Sequence, residues 1–595
     1  MKSLSLHRPW QSLMAASLIP LLAFFLACGP GEEPTPTPAP TKAPAETPTA
    51  TAIAGPAATA TPTRPGPVAI PTPTSVVVAA PTALPGEQPK KGGMLNFVVG
   101  TFTPNFDPQL LSVTPEYYTA TGKLYLNLFV NYDGQNVECE ICSEWHLEDS
   151  GKSMVFTLKP GIKFHNGQEL TSADVAYSLK MVMGEIDGVV SPRAGVFKEY
   201  VKSIETPSKY VLRLNLIHPS VFVPKILAVS SASIYRAGTT REDLKKADSG
   251  AGPFIVKQIV SGSSWDLVRY PDYFKAGQPY LDGINITYVA DPNTRVAAFF
   301  THKVEWISNK QEQYRPQLLK SKDAGTIRLV PELGGCGPHF ANMNVTKPPF
   351  NDIRMRKAVN LAIDRTKIAT AMYGADWSEQ LLYFDQGMEY ATPKEQIWNI
   401  VPGWGTGAKK QQEIEQAKQL VKDAGYPTGL DIDQMARGPF TGSGYTNGHE
   451  VLQQELKDIG IRTTLSVVDP TVHADRMARL DYLIQWYIFC MTTRDADEVV
   501  GQYWVTGGAR NTTGYSNLEV DKLYVQMSSE LDLAKRKAFF LQIQDIIVLK
   551  DVAYAPTPQQ DADIWIWPRV QGFMIPMTTH SSSGFHRADR IWFKD

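Results

Sequence analysis

Neither positive nor negative residues dominate this 595-residue chain. Its 58 Lys and Arg stand against 60 Asp and Glu, a net charge of −2. A basic stripe that tracks a phosphate backbone, or a polybasic surface for anionic lipid, is therefore not expected. Histidine is scarce, with ten residues and none at i, i+4, so no helix offers a ready metal pair. The chain also lacks a Gly-x-Ser-x-Gly nucleophile elbow, a His-Glu-x-x-His helix and a phosphate loop ending in Gly-Lys-Ser/Thr. Gly334-Gly335-Cys336-Gly337 follows no dinucleotide-binding spacing and reads as a tight turn. No cofactor and no enzymatic activity are expected. Hydrophobic residues make up 43% of the chain, an ordinary globular share, and the length allows more than one core.

The N-terminal 90 residues do not read as part of that fold. Lys2 and Arg8 precede an apolar run from Leu13 to Ala27, interrupted by small residues and Pro20. The run is too short for a confident spanning helix and fits an export signal over residues 1–28. It ends at Phe25-Leu26-Ala27-Cys28-Gly29, which resembles a bacterial lipoprotein cleavage site with Cys28 as the lipid-bearing residue. Phe25 stands where such sites usually carry Leu, and an ordinary signal peptide with an incidental cysteine is the alternative. Residues 29–90 are almost all Pro, Thr and Ala. Proline favours polyproline II there, and the few large apolar groups cannot offset ordering entropy, so a disordered spacer is expected.

Besides Cys28 the chain holds Cys139, Cys142, Cys336 and Cys490. Cys139-x-x-Cys142 has the spacing of half a zinc site or of a redox pair. No second ligand pair is visible, and in an exported protein a disulfide is the better reading. A Cys336–Cys490 pairing stays open.

From Met94 the pattern becomes that of an α/β protein. Gly93 to Gly100 reads as a short strand, and a helical stretch is expected around 117–128. Trp145 and Leu147 alternate with polar residues, Asp149-Ser150-Gly151 supplies a turn, and Met154, Phe156 and Leu158 alternate again, a β-hairpin. Pro160-Gly161 and Asn166-Gly167 mark further turns. Thr171, with an acid at Asp174, opens a helix close to a capping box. Asp291-Pro292 caps another. Met355, Val359 and Ala362 share one helical face.

These elements in this order resemble family 5 of the bacterial extracellular solute-binding proteins, the oligopeptide, dipeptide and nickel binders of ABC importers. The resemblance rests on the stretch from Ser143 to Asp174 and on Gly250-Ala251-Gly252-Pro253-Phe254. It is carried further by Arg269 to Phe274, Asp291 to Arg295, Pro348 to Arg365, Ala417 to Gly429, Leu452 to Ile461 and Gly514 to Asp521. It implies a two-lobed periplasmic-binding-protein-like α/β fold (type II, cluster C-like) with an extra subdomain on lobe one and a disordered N-terminal tether. The expected division is lobe one with its subdomain at 91–340, lobe two at 341–556 and a C-terminal return to lobe one at 557–595. Crossings between lobes are expected near Phe340 to Asn344 and near Ala555-Pro556.

The resemblance further implies a monomer that captures a peptide or peptide-like solute between its lobes and docks on ABC permease subunits. It would be lipid-anchored on the outer side of the membrane and bind no nucleic acid. A nickel-chelate or sugar-binding receptor of the same fold, and a sensor without transport, are the alternatives. In peptide-binding members a Trp-containing strand leads to an aspartate that meets the ligand amine. Here that stretch is Trp486 to Asp497, and Thr492 falls at the amine-binding position, which disfavours an ordinary free-amine peptide. Asp495 could take over that role or cap a loop. Trp486 and Tyr487, on opposite sides of one strand, Trp377, Tyr383 and Phe102 are candidate cleft aromatics. Arg437 and Arg494 are candidates for a bidentate bond to a carboxylate. His339 lies beside the first crossing and is the last candidate.

Overall fold

The computed structural model describes residues 88–594 apart from 101–105, 111–122, 132–136, 246–248, 309–313, 333–338, 375–376, 385, 387, 439–442, 489–492, 494, 561 and 574–587. The signal expected over 1–28, the spacer expected over 29–90 except its last three residues, and Cys28, Phe102, Thr492, Arg494, Cys336 and Cys490 therefore lie outside the described residues.

The predicted hairpin forms from Cys142–Glu148 and Ser153–Leu158, with Trp145 opposite Phe156. Asp149, Ser150 and Gly151 turn the chain with φ of 51°, 56° and 85°. The strands Val211–Leu216 and Val201–Ser208 complete a four-stranded antiparallel sheet. Met154, Phe156 and Leu158 pack beneath it against Val175 and Leu179 of the helix Ser172–Val182. The Asp174 carboxylate accepts from the Thr171 backbone N–H and from its hydroxyl, both at 2.8 Å, as the sequence leads one to expect. Cys139 and Cys142 are joined in a disulfide. Of the helix expected around 117–128, residues 117–122 lie outside the described residues; Lys123 and Leu124 are helical, while Leu126 bridges Ile234, and Phe129–Asn131 beyond it is a strand.

Three other sheets of three or four strands, and three two-stranded pairs, are found among the described residues. Met94–Val99 pairs in parallel with Gly283–Tyr288, followed by Ser264–Arg269 and Phe254–Val260. Ala562–Ile566, from the C-terminal segment, lies between Trp306–Ser308 and Arg328–Glu332. The last sheet has the order His339–Met343, Ile484–Ile488, Leu430–Arg437, Ile461–Val468. Its three last-named strands run parallel and the first runs against them. The two segments expected to cross between lobes lie side by side: Ala341 bridges Ala555, and the Thr557 hydroxyl donates to the His339 carbonyl. Helix Ile353–Ala362 buries Met355, Val359 and Ala362 on the last sheet's core, in one cluster with Leu452, Leu456 and Ile484.

Within that cluster's helix Ser443–Asp458, Glu455 is only 4% exposed and accepts from the Asp364 backbone N–H at 3.2 Å. Burial pushes its pKa up to about 8 from an ordinary 4.5, against the opposing charge of Lys367. A carboxyl raised by folding stabilises the fold fully below its unfolded pKa. That contribution is lost as the pH climbs through the folded value. Glu455→Gln, always neutral, should therefore gain on the wild type between pH 5 and pH 9, by about 3 kcal/mol at the upper end. Urea unfolding of both proteins at the two pH values measures this, and a constant difference would refute it.

Candidate functional site

In open α/β sheets, ligands bind beyond the carboxyl ends of parallel strands. In the last sheet that edge is formed by Arg437, Val468 and Ile488, with His339 opposite Ile488 at the start of the antiparallel strand. The register sets Gln434 beside Ile484 and Met435 beside Gln485. Carried two residues on, it sets Arg437 beside Tyr487. Four of the residues singled out in the sequence, His339, Arg437, Trp486 and Tyr487, are thus gathered at one edge of one sheet.

Successive strand residues point to opposite faces, and this pair follows the rule. Trp486 is 1% exposed and packs in the cluster with Leu452 and Ile484. Its indole nitrogen has no hydrogen-bond partner among the described residues and lies against Gly448, where a Cβ would come within 2.2 Å of it. Tyr487 is half-buried, with its ring 5.5 Å from that of His473. Burial raises the Tyr487 phenol, and Arg510 and Arg437 act against this, so both guanidiniums are within electrostatic reach of one hydroxyl. The His339 ring is 7% exposed and lies parallel to that of Trp486, with centroids 5.9 Å apart. Its Nδ1 is 2.5 Å from the Tyr373 hydroxyl, which burial holds firmly protonated.

Tyr383 and Trp377 belong to other elements, but Tyr383 shares a buried cluster with Phe340, against which Tyr487 packs, and Trp377 packs against the cluster that holds Trp486. Tyr383 is 1% exposed, between Tyr503 at 5.9 Å and Tyr554 at 5.7 Å. Leu382 and Tyr383 both hold positive φ, 43° and 75°, a costly conformation for residues with side chains that the surrounding packing must maintain. Trp377 is half-buried on the short strand paired with Gln559–Gln560.

Asp495 has the cap role. It accepts from the Asp497 N–H at the start of helix Ala496–Tyr503. Its carboxylate is fully enclosed and ion-paired with Arg536 and, at 2.6 Å, with Lys225. Burial alone would raise its pKa, but the two cations outweigh this and hold it below the ordinary carboxylate range. In this structure that carboxylate is taken up by Arg536 and Lys225.

Sequence reasoning missed Tyr373, His473 and Arg510. The Arg510 guanidinium lies 4.7 Å over the Tyr503 ring, in a loop after Gly507-Gly508 with no periodic signal. His449 and His473 flank the sheet. Burial lowers both, His449 to about 4, and each makes a contact with a glutamine, at 3.2 and 2.7 Å, so both are neutral near pH 7. Among the described residues no three His, Cys, Asp or Glu side chains cluster to hold a metal ion. No helix among them is long and apolar enough to cross a membrane. The sheet edge thus brings the half-buried Tyr487 ring within electrostatic reach of two guanidiniums, groups of the kind that suit an anion.

The pattern described as "Bacterial extracellular solute-binding proteins, family 5 Middle" matches residues 136–511. The chain is 24% identical over 502 residues to heme-binding protein A of Haemophilus influenzae, covering 79% of this chain and 87% of that protein. It is 23% identical over 448 residues to a glutathione-binding protein of Salmonella typhi, covering 71% of this chain and 81% of that one. Among solved structures, a periplasmic binding protein of Helicobacter pylori in complex with the peptide STSA superposes with a TM-score of 0.69 at 22% identity, over 85% of this chain and 99% of that one. That likeness shows the fold, the two-lobed periplasmic-binding-protein-like α/β class.

Proposed function

The chain belongs to family 5 of the bacterial extracellular solute-binding proteins, which serve ABC importers, and from that premise we propose that it captures a peptide or peptide-like organic solute in a cleft at the edge of the last sheet and delivers it to a membrane permease. Residues 91–340 and 557–595 form one lobe, 341–556 the other, and the paired segments at Ala341 and Ala555 are the hinge about which they close. The chain acts as a monomer, exported by residues 1–28, anchored by a lipid on Cys28 and held off the membrane by the spacer 29–90. The observation that carries this reading is that Arg437, Trp486 and Tyr487 stand toward the carboxyl ends of parallel strands, with His339 beside them at the start of the antiparallel one. Arg437 meets a solute carboxylate, and Tyr487 offers the aromatic wall beside it.

Native mass spectrometry of the protein as purified identifies the cargo, and calorimetry then measures its affinity. Arg437→Gln is expected to weaken a carboxylate-bearing solute by about 1.5–3 kcal/mol, roughly 10- to 150-fold, and to leave its amide analogue nearly unchanged. Equal loss for both, or none for either, would remove Arg437 from the site.

A further inference from the structure

Segments distant in sequence also meet at a second place. The Tyr524 hydroxyl, on helix Leu518–Ser529, donates to the Glu199 carboxylate and lies 3.1 Å from the Tyr200 hydroxyl. The Gln502 amide donates to Glu199 at 3.1 Å, and the Lys225 ammonium reaches Asp495 at 2.6 Å. These partners are 270 to 325 residues apart. The contact is fitted by small residues. A Cβ on Gly501 would lie 2.3 Å from the Tyr524 hydroxyl and 3.1 Å from Glu199, and Gly195 faces Ala509 and Gln502. Tyr200 and Tyr524 are buried, so their hydroxyls have exchanged water for each other and for Glu199. A buried polar group keeps such an arrangement only while its partner is present.

We propose that this contact is a closure clasp: hydrogen bonds between the 193–225 segment of one lobe and the 495–529 segment of the other form on closing and set the open–closed balance without touching the solute. The inference rests on the two-lobe reading above. Each clasp bond exists in the closed form alone, so it supplies the differential stabilisation that closure requires. Affinity for every solute then scales with the clasp, because the closed population multiplies intrinsic binding.

The test is a distance measurement by pulsed electron resonance on the full-length, solute-free protein, with labels on non-native amino acids at the exposed positions Lys202 and Lys522. Tyr524→Phe keeps the ring and removes the hydroxyl. It should raise the ratio of long to short distances about three- to tenfold, with thermal unfolding showing an intact fold. Gly501→Ala wedges the contact and Lys225→Met removes its ion pair, and both should move the ratio the same way. A wild type that samples two distances in a ratio that no variant moves would overturn the clasp alone. A single shared distance in wild type and variants would overturn the two-lobe reading beneath it.

Discussion

Arg536→Leu is expected to cost roughly 3–5 kcal/mol of stability, the largest loss from any single charged residue described above. Arg536, Asp495 and Asp497 are all fully enclosed, and Arg536 bonds both carboxylates and the Tyr390 hydroxyl. Its guanidinium also lies 5.4 Å over the Tyr390 ring. With Lys225 the group holds two cations and two carboxylates, so it is electrically balanced. Leucine would leave two adjacent buried carboxylates with one half-exposed lysine. Burial already raises the Asp497 pKa, with the Asp495 charge adding to it and Arg536 opposing it. Without the arginine, one carboxylate must take up a proton or draw in water. If uncompensated charge is the cause, Arg536→Leu combined with Asp495→Asn and Asp497→Asn should recover a good part of the loss. Urea and thermal unfolding of the single and triple variants measure both effects. A single-variant loss below about 1 kcal/mol would show that the charges are better solvated than their burial implies.

That network also marks where sequence reading stopped. The hairpin from Cys142 to Leu158, the Thr171–Asp174 cap and the Asp291-Pro292 helix start were legible because each depends on residues within a few positions of one another. The sheet edge was legible in part. His339 and Trp486 were named from strands whose order and register no local pattern dictates. Whether Trp486 packs inward or lines a cleft depends on Gly448, about forty residues away in sequence, and nothing local announces that contact. Asp495 was open between cap and ligand partner, and Arg536, which decides it, sits in a helix with the charge pattern of an ordinary surface. Arg510 reaches Tyr503 from an irregular loop, where periodicity carries no information. Long-range contacts choose among the roles that local chemistry permits, and a single chain does not display them.

One long-range contact was nonetheless inscribed in a motif, and it yields the sharpest steric expectation. Gly250 and Gly252 do not have positive φ, so neither is required for a left-handed backbone. The requirement is space. A Cβ on Gly250 would sit 1.9 Å from the Leu124 carbonyl oxygen, and one on Gly252 would sit 2.3 Å from that of Lys123. The obstacle is backbone, which cannot swing away as a side-chain tip can. The same approach lets the Gly252 N–H donate to the Leu124 carbonyl and the His165 N–H donate to the Gly250 carbonyl, each at 2.8 Å, while the His165 ring reaches the Gly252 carbonyl at 3.0 Å. Two motifs more than eighty residues apart, Phe164 to Gly167 and Gly250 to Phe254, thus form one joint. Gly250→Ala must part that joint and strand buried carbonyls, at a cost of about 3 kcal/mol or more. Gly161→Ala is the control. Gly161 has φ of 78° but nothing within 4 Å of its Cβ position. It should cost only about 1 kcal/mol, from the backbone conformation alone. Equal, small losses for the two variants would mean that the 123–124 backbone is free to retreat, and that the glycines serve some need other than close approach.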